Sequence, residues 1–168
     1  MPINPLEKAE TFCRTHNLQI PILMAPMANA CPASLSIAVT NAGGMGACGC
    51  YMMRPEQIKN WVQTVRSGSN GVFQLNLWIP DPDPIRDLKN EAELRDFLGR
   101  WGPKVNPRDA EASKIDFDEQ CEAIIALGPS VISSIMGIYP APFVARLKNQ
   151  GIKWFATVTS VTEALAAE

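Results

Sequence analysis

The sequence predicts an α/β protein with a parallel sheet, because short apolar runs alternate along it with segments of helical periodicity. The apolar runs are residues 20–24, 45–50, 72–78, 130–135 and 152–158. With 46% hydrophobic and 19% charged residues, the 168-residue chain has the composition of one globular domain with a sizeable core. Two architectures fit this order of strands: the first five units of a (β/α)8 barrel of TIM type, or an open doubly wound sheet.

The first predicted elements are a leading helix at residues 5–15 and a strand at residues 20–24. Leu6 and Phe12 are spaced to share one face of the helix, and Asn17 is a typical helix stop. The strand is a short apolar run between prolines, which favours a strand buried on both faces.

A helix at residues 32–43 is predicted next, with Leu35, Ala38 and Val39 on its apolar side and glycines at its end. These glycines are typical of packing and capping at the turn into the second strand. The second strand is expected at residues 45–50.

The third unit is a helix at residues 54–66 followed by a strand at residues 72–78. The helix has Pro in its first turn, and its apolar residues recur at helical spacing. They are Ile58, Trp61, Val62 and Val65. Residues 80–116 then break the rhythm with turn residues and a charged helix at residues 91–101, so we interpret them as an insertion.

Regular alternation returns after the insertion. Helices are predicted at residues 116–127, 142–149 and 160–168, and strands at residues 130–135 and 152–158. Ser160 stands three residues before Glu163, which is the spacing of a capping box at a helix start.

Composition and charge narrow the function classes. The formal net charge of −2 comes without a basic block that could follow a phosphate backbone, so no nucleic acid is expected. We see no signal peptide and no apolar run of about 20 residues, so we expect a cytoplasmic protein without a membrane partner. The cysteines are odd in number and lie in apolar segments, which favours free thiols. With only one histidine, His16, no metal site is expected.

Three stretches carry a resemblance to a known family. They are Pro21-Ile-Leu-Met-Ala-Pro-Met-Ala28, Ala38-Val-Thr-Asn-Ala-Gly-Gly-Met-Gly46 and Phe73-Gln-Leu-Asn-Leu-Trp78. Residues 133–137 and 156–161 add support. In this order and spacing the set resembles the N-terminal part of the nitronate monooxygenases, formerly called 2-nitropropane dioxygenases. No Gly-x-Gly-x-x-Gly fingerprint follows the first predicted strand, which counts against the doubly wound alternative.

The resemblance implies an FMN-dependent TIM barrel that oxidises alkyl nitronates or nitroalkanes with molecular oxygen. It makes residues 1–168 the N-terminal part of one FMN-binding barrel domain, with the insertion at about 80–116. The remainder of the barrel would be a separate segment or a missing part, and a homo-oligomer is compatible with the sequence. The usual catalytic base, a histidine in a Gly-Gly-His segment, is absent here and is expected beyond Glu168. His16 matches no family motif and should not take that role.

The resemblance also implies which residues meet the ligands. An isoalloxazine ring at the mouth of a barrel needs close backbone and few bulky side chains. The residues expected to bind the cofactor are Ala25, Pro26, Met27, Ala28, Asn76 and Ser134. Ser133 is the alternative to Ser134, and Met27 and Met136 are expected to line the substrate pocket. The methionines also fit an ordinary core, whereas an amide such as Asn76 in an apolar strand needs a partner.

Two other functions remain open on the sequence. Close barrel relatives include NAD(P)H-dependent quinone reductases and flavin-dependent enoyl-acyl-carrier-protein reductases, which share the first strand and the glycine-rich turn. The chain could also be an inactive binding or assembly fragment.

Overall fold

The parallel sheet is the framework on which the rest of the chain packs. In a computed structural model that describes residues 4–83, 85–111 and 115–168, the strands pair side by side in the order of the chain. They are β1 (Gly46–Gly49), β2 (Phe73–Trp78), β3 (Val131–Ile135) and β4 (Lys153–Ala156). Each pairing is parallel, so all four strands end at the same edge of the sheet.

Helices connect the strands, and their positions confirm the predicted alternation to within a few residues. They are α1 (Pro5–His16), α2 (Ala33–Asn41), α3 (Pro55–Gly68), α4 (Leu88–Leu98), α5 (Phe117–Leu127), α6 (Ala141–Asn149) and α7 (Val161–Ala167). At α7 the Ser160 hydroxyl accepts the Glu163 N–H, as the capping pattern predicted.

The main core lies between one face of the sheet and the helices. It joins outward side chains of β2 and β3 to apolar residues of α3, α5 and α6. Its fully buried members include Phe73, Leu75, Ile132, Ile58, Val62, Ile124 and Leu147. Helices on one face and a sheet in sequential order are the arrangement of a (β/α)8 barrel. A doubly wound sheet requires helices on both faces and a reversal of strand order, so that alternative is wrong.

The predicted first strand is reduced to a single bridge between Leu23 and Met45. Met45 N–H donates to the Ile22 carbonyl at 3.0 Å, and Met24 N–H donates to the Met45 carbonyl at 2.9 Å. Pro21 has no N–H to extend this ladder. Burial on both faces was also wrong, because Ile22 is 57% exposed. The segment still lies beside β1, where the first strand of a barrel belongs.

Helix α2 buries polar residues rather than its predicted apolar side. Ser36 Oγ donates to the Ala47 carbonyl at 2.9 Å and accepts the Ala47 N–H at 3.1 Å, and Thr40 Oγ1 donates to the Val72 carbonyl at 3.2 Å. Leu35 is exposed. A Cβ on Gly46 would lie 2.9 Å from the Ser36 Cβ, so this glycine lets the helix approach the strand closely.

The chain forms two compact units, one of Met1–Pro80 with Ile115–Glu168 and the other of Asp81–Lys114. The second unit holds α4 and a short 3₁₀ helix, Pro107–Glu111. The carboxylate of Asp87 accepts the Lys89 and Asn90 N–H groups, both at 3.1 Å, and thereby caps α4.

Candidate functional site

The carboxyl edge of the sheet brings together most of the residues that the sequence singled out. Parallel strands end at one edge, and in barrels that edge carries the site. Residues 25–28 follow the Leu23–Met45 bridge, Asn76 lies near the end of β2, and Met136 follows β3. We call this edge the mouth.

Backbone from residues 25–28 lies directly over the end of β1. A Cβ on Gly49 would come within 2.7 Å of the Ala28 nitrogen and 2.8 Å of the Met27 carbonyl carbon. Only glycine permits that approach without a shift of the loop. The Met27 side chain itself is about half exposed, so it is not part of the core.

The thiol of Cys31 closes this loop on itself. Its Sγ accepts the Met27 N–H at 3.1 Å and donates to the Ala25 carbonyl at 3.3 Å. The Cys31 carbonyl in turn accepts the indole N–H of Trp61, on α3, at 3.0 Å. Helix α3 therefore fixes the loop at one end, and the thiol fixes its shape.

Asn76 and Ser133 form a buried polar pair between β2 and β3. These two residues are register partners in the sheet, and Asn76 Nδ2 donates to Ser133 Oγ at 3.0 Å. Asn76 is only 4% exposed. Among the described residues, none donates to its Oδ1. The Asn76 amide nitrogen therefore has a hydrogen-bond partner in Ser133, and the Asn76 Oδ1 atom remains as an acceptor at the mouth.

The two neighbouring serines point to opposite faces, because side chains alternate along a strand. Ser134 is fully buried, and its Oγ accepts the indole N–H of Trp154 at 3.1 Å, while Trp154 packs against the helix-facing core. The Ser134 side chain therefore does not share the face of Asn76. Ser133, the alternative in the sequence interpretation, is the serine whose side chain lies beside Asn76.

Met136 lies at the turn after β3 with a left-handed backbone conformation, φ 65°. It is largely exposed and lines a cavity of about 450 Å³ together with residues that follow β4. These include Thr157, Thr159 and Glu163. The N–H of Thr159 donates to the Glu163 carboxylate, and this hydrogen bond holds the pKa of that carboxyl below its usual value. The lining is otherwise apolar.

An aromatic pair at the mouth was missed in part by the sequence interpretation. Tyr51, two residues after the end of β1, stacks on Trp78, the last residue of β2, with ring centroids 4.7 Å apart and 23° between the planes. The sequence interpretation included Trp78 only as the last residue of a family-like stretch and gave Tyr51 no role. The available signal was that both residues lie at or just after the carboxyl ends of neighbouring strands.

A buried amide on α5 holds the loop that carries Tyr51. Gln120 Nε2 lies 3.0 Å from the Cys50 carbonyl, 3.2 Å from the Tyr51 carbonyl and 2.8 Å from the Met53 carbonyl. Gln120 is buried beside Cys121, whose thiol pKa is raised by burial to about 12. A glutamine on the apolar face of a helix was the signal that sequence reasoning passed over.

The histidine lies at the other end of the sheet. His16 packs on Phe12, with ring centroids 4.4 Å apart, and on Phe155, at 5.1 Å. Phe155 packs against a cluster from the strand starts that includes Met45 and Val131. Burial and the nearby Lys153 ammonium lower the pKa of His16. His16 is therefore a packing residue of α1 and lies away from the mouth.

The described residues form neither a metal-binding cluster nor a helix that could cross a membrane. No group of three or more His, Cys, Asp or Glu side chains within ranges 4–83, 85–111 and 115–168 is placed to hold a metal ion. Over the same ranges, none of the helices combines the length and apolar character needed to cross a membrane.

The comparison with protein families decides the relationship. A family model described as nitronate monooxygenase matches residues 10–168. The chain belongs to the nitronate monooxygenase family. The resemblance drawn from the three sequence stretches is thereby confirmed.

Two curated members of the nitronate monooxygenase family illustrate how much of such a protein is present. A probable nitronate monooxygenase of Staphylococcus saprophyticus is 26% identical over 160 residues, which are 90% of this chain and 43% of that protein. A nitronate monooxygenase of Paraburkholderia phytofirmans is also 26% identical, over 88% of this chain and 42% of that protein. The chain spans less than half the length of these relatives.

Solved structures agree on the fold. A nitroalkane oxidase from Streptomyces ansochromogenes superposes with a TM-score of 0.78 at 22% identity, over 92% of this chain and 45% of that one. FabK from Thermotoga maritima superposes with a TM-score of 0.65 at 22% identity, over 93% and 39%. Together with the sequential sheet, these likenesses confirm the predicted partial barrel of TIM type.

Proposed function

We propose that the mouth of this chain holds the ring of FMN in an enzyme that oxidises alkyl nitronates or nitroalkanes with molecular oxygen. The observation that carries the proposal is the buried Asn76–Ser133 pair, which stands beside closely packed loop backbone at the carboxyl edge. A polar pair at this depth in an apolar sheet is costly unless it serves the fold or a ligand. Here one acceptor, Asn76 Oδ1, is left over for a ligand.

The residues at the mouth fit a flat ring with a polar edge. Gly49 lets the backbone of residues 25–28 pack directly on the end of β1, so this backbone lies close to the sheet edge that a planar ring would approach. Asn76 Oδ1 is positioned to accept a hydrogen bond from a donor on the ring edge, and Ser133 holds the amide in that orientation.

The side chains around this floor are suited to a small organic substrate. Met27 and Met136 are exposed and polarizable, so both can contact an apolar chain without a fixed shape requirement. When bound, FMN supplies the redox chemistry, because it takes up the electrons of the substrate and passes them to oxygen. The chain itself binds the ring, orients it and shields one side from water.

The one histidine of the sequence, His16, is not proposed as the proton acceptor of this chemistry, because it packs between two phenylalanines at the opposite end of the sheet. Barrels place the phosphate site after the last strands, so the contacts that we propose for this chain are contacts with the ring.

The experiment compares two turnover assays on the protein after it has been supplied with FMN and desalted. Oxygen uptake is recorded with propyl-1-nitronate and no nicotinamide, and NADH or NADPH consumption is recorded with a quinone. The nitronate is already the deprotonated form of the nitroalkane, so this assay requires no proton acceptor, and we expect flavin retention and nitronate-dependent oxygen uptake. Nicotinamide consumption without nitronate oxidation would instead favour a quinone reductase. A folded, monodisperse protein that retains no flavin would contradict the proposal and favour a binding fragment.

A further inference from the structure

The aromatic pair at the mouth has exposed ring surface that the fold does not use. Tyr51 is 43% exposed and Trp78 is 42% exposed. In the same strand as Trp78, the outward side chains Phe73, Leu75 and Leu77 are completely buried. Because side chains alternate, Trp78 shares the inward face of Asn76 rather than the helix-facing core.

The pair is held in place rather than lying loose on the surface. The Cys50 N–H donates to the Asn76 carbonyl at 2.9 Å, which ties the start of the Tyr51 loop to β2. Gln120 fixes the same loop through the carbonyl groups of Cys50, Tyr51 and Met53. Trp78 is the last residue of β2, and its backbone is paired with Ile135 of β3. Both rings are therefore preorganised, which lowers the entropy cost of stacking a ligand on them.

The chemistry of the two rings defines what they bind best. Indole and phenol rings present flat, polarizable faces that prefer other flat rings in offset stacking. Neither ring has a cation–π contact in the described ranges, and a nitronate carries no cation, so stacking is the contact that such a substrate can make with these faces. A straight alkyl chain would cover little of either face.

We infer that Tyr51 and Trp78 select nitronates that carry an aryl substituent over short straight-chain nitronates. This inference rests on the proposed function, because it assigns the substituent pocket of the same mouth. The stacked aryl group would lie on the exposed ring surface beside the site proposed for the flavin ring. A favourable aromatic contact of this kind corresponds to about fivefold to tenfold tighter binding.

The test uses the indole N–H signals of the protein in two-dimensional ¹H–¹⁵N NMR. The chain has four tryptophans, which are assigned by single substitution. The protein without added flavin is titrated with the nitronate of phenylnitromethane and, separately, with propyl-1-nitronate. We expect a saturable shift of the Trp78 signal, with a dissociation constant about fivefold to tenfold lower for the aryl compound. Equal constants for the two compounds would overturn the inference.

Matched variants separate stacking from a general effect on the fold. Trp78→Leu, followed through the backbone N–H signal of Tyr51 because the indole signal is gone, should lose the preference for the aryl compound. Trp101→Leu should keep it, because Trp101 is an exposed indole of the second unit. If Trp78→Leu does not fold, Tyr51→Leu and Tyr51→Phe replace it. Tyr51→Phe should keep the preference and Tyr51→Leu should weaken it. An unchanged preference for the aryl compound in Trp78→Leu and in Tyr51→Leu would overturn the inference.

Failure of this inference can be told apart from failure of the proposed function. Retained flavin with nitronate turnover but no aryl preference overturns the aryl contact alone. A selective Trp78 shift in a protein that retains no flavin supports the aryl contact and contradicts the proposed cofactor site.

Discussion

At the scale of single residues, the mouth is shaped by small and polar side chains rather than by large ones. Gly49 allows loop backbone to lie on β1, Cys31 closes that loop, and Asn76 with Ser133 forms its polar floor. Each acts through one or two hydrogen bonds or through the absence of a Cβ. Single substitutions at these positions therefore change the site more than they change the core.

Cys31→Ala removes both hydrogen bonds that close the loop of residues 25–31, so we expect weaker FMN binding. The lost contribution is about 1 kcal/mol, or roughly fivefold in affinity. Cys31→Ser retains a donor and an acceptor and should recover most of the loss. FMN titration followed by quenching of flavin fluorescence gives the affinities.

The control for the Cys31 variants is Cys13→Ala, which removes a half-buried thiol on α1. It should bind FMN as the unsubstituted protein does. Equal affinities for Cys13→Ala and Cys31→Ala would show that the thiol does not position the loop.

At the scale of elements, the sequence predicted most helices and strands because apolar periodicity reports burial directly. It failed at residues 20–24, where Pro21 interrupts the hydrogen-bond ladder and leaves one bridge. It also failed on α2, because Ser36 and Thr40 are buried through bonds to neighbouring strands, which no local pattern reveals.

The candidate site was predictable only in part. Loop residues 25–28 and Asn76 were found through the family resemblance, and the structure places both at the mouth. Ser133 and Ser134 point to opposite faces of β3, and which of them shares the face of Asn76 is known only once the register of β3 against β2 is known. Gln120 was not found, because it acts on a loop 67 to 70 residues away in sequence.

Docking of α1 should depend on pH through His16. Burial and Lys153 lower the pKa of this histidine in the folded protein, so folding favours its neutral form. The contribution of neutral His16 to the free energy of unfolding is complete above the pKa of about 6.5 that histidine has in the unfolded chain. It is lost as the pH falls through the lower pKa of His16 in the folded protein. Between about pH 7.5 and about pH 5.5, the Tm of the unsubstituted protein should therefore fall by more than the Tm of His16→Gln.

Other groups that titrate in this window are the same in both proteins, so the difference between the two pH slopes isolates His16. Equal slopes would mean that the docked helix does not disfavour the charged ring. In the proposed enzyme, His16→Gln should also leave nitronate turnover close to that of the unsubstituted protein. A loss of several hundredfold in turnover would return His16 to the candidate bases.

At the scale of the whole molecule, the sheet runs in chain order with helices on one face, as in part of a barrel. The chain covers 42% to 43% of the length of the two curated family members from Staphylococcus saprophyticus and Paraburkholderia phytofirmans. In the function that we propose, these residues hold the ring of the flavin. The central claim is therefore ring binding at the mouth.

The most direct test of ring binding is the visible absorption spectrum of the protein after incubation with FMN and desalting. Asn76→Ala is compared with Asn41→Ala, whose exposed amide donates to the Gly68 carbonyl. We expect the unsubstituted protein and Asn41→Ala to keep a flavin band and Asn76→Ala to lose most of it, because the ring loses its acceptor. An Asn76→Ala protein that retains as much flavin as the unsubstituted one, or an unsubstituted protein that retains none, would contradict the claim.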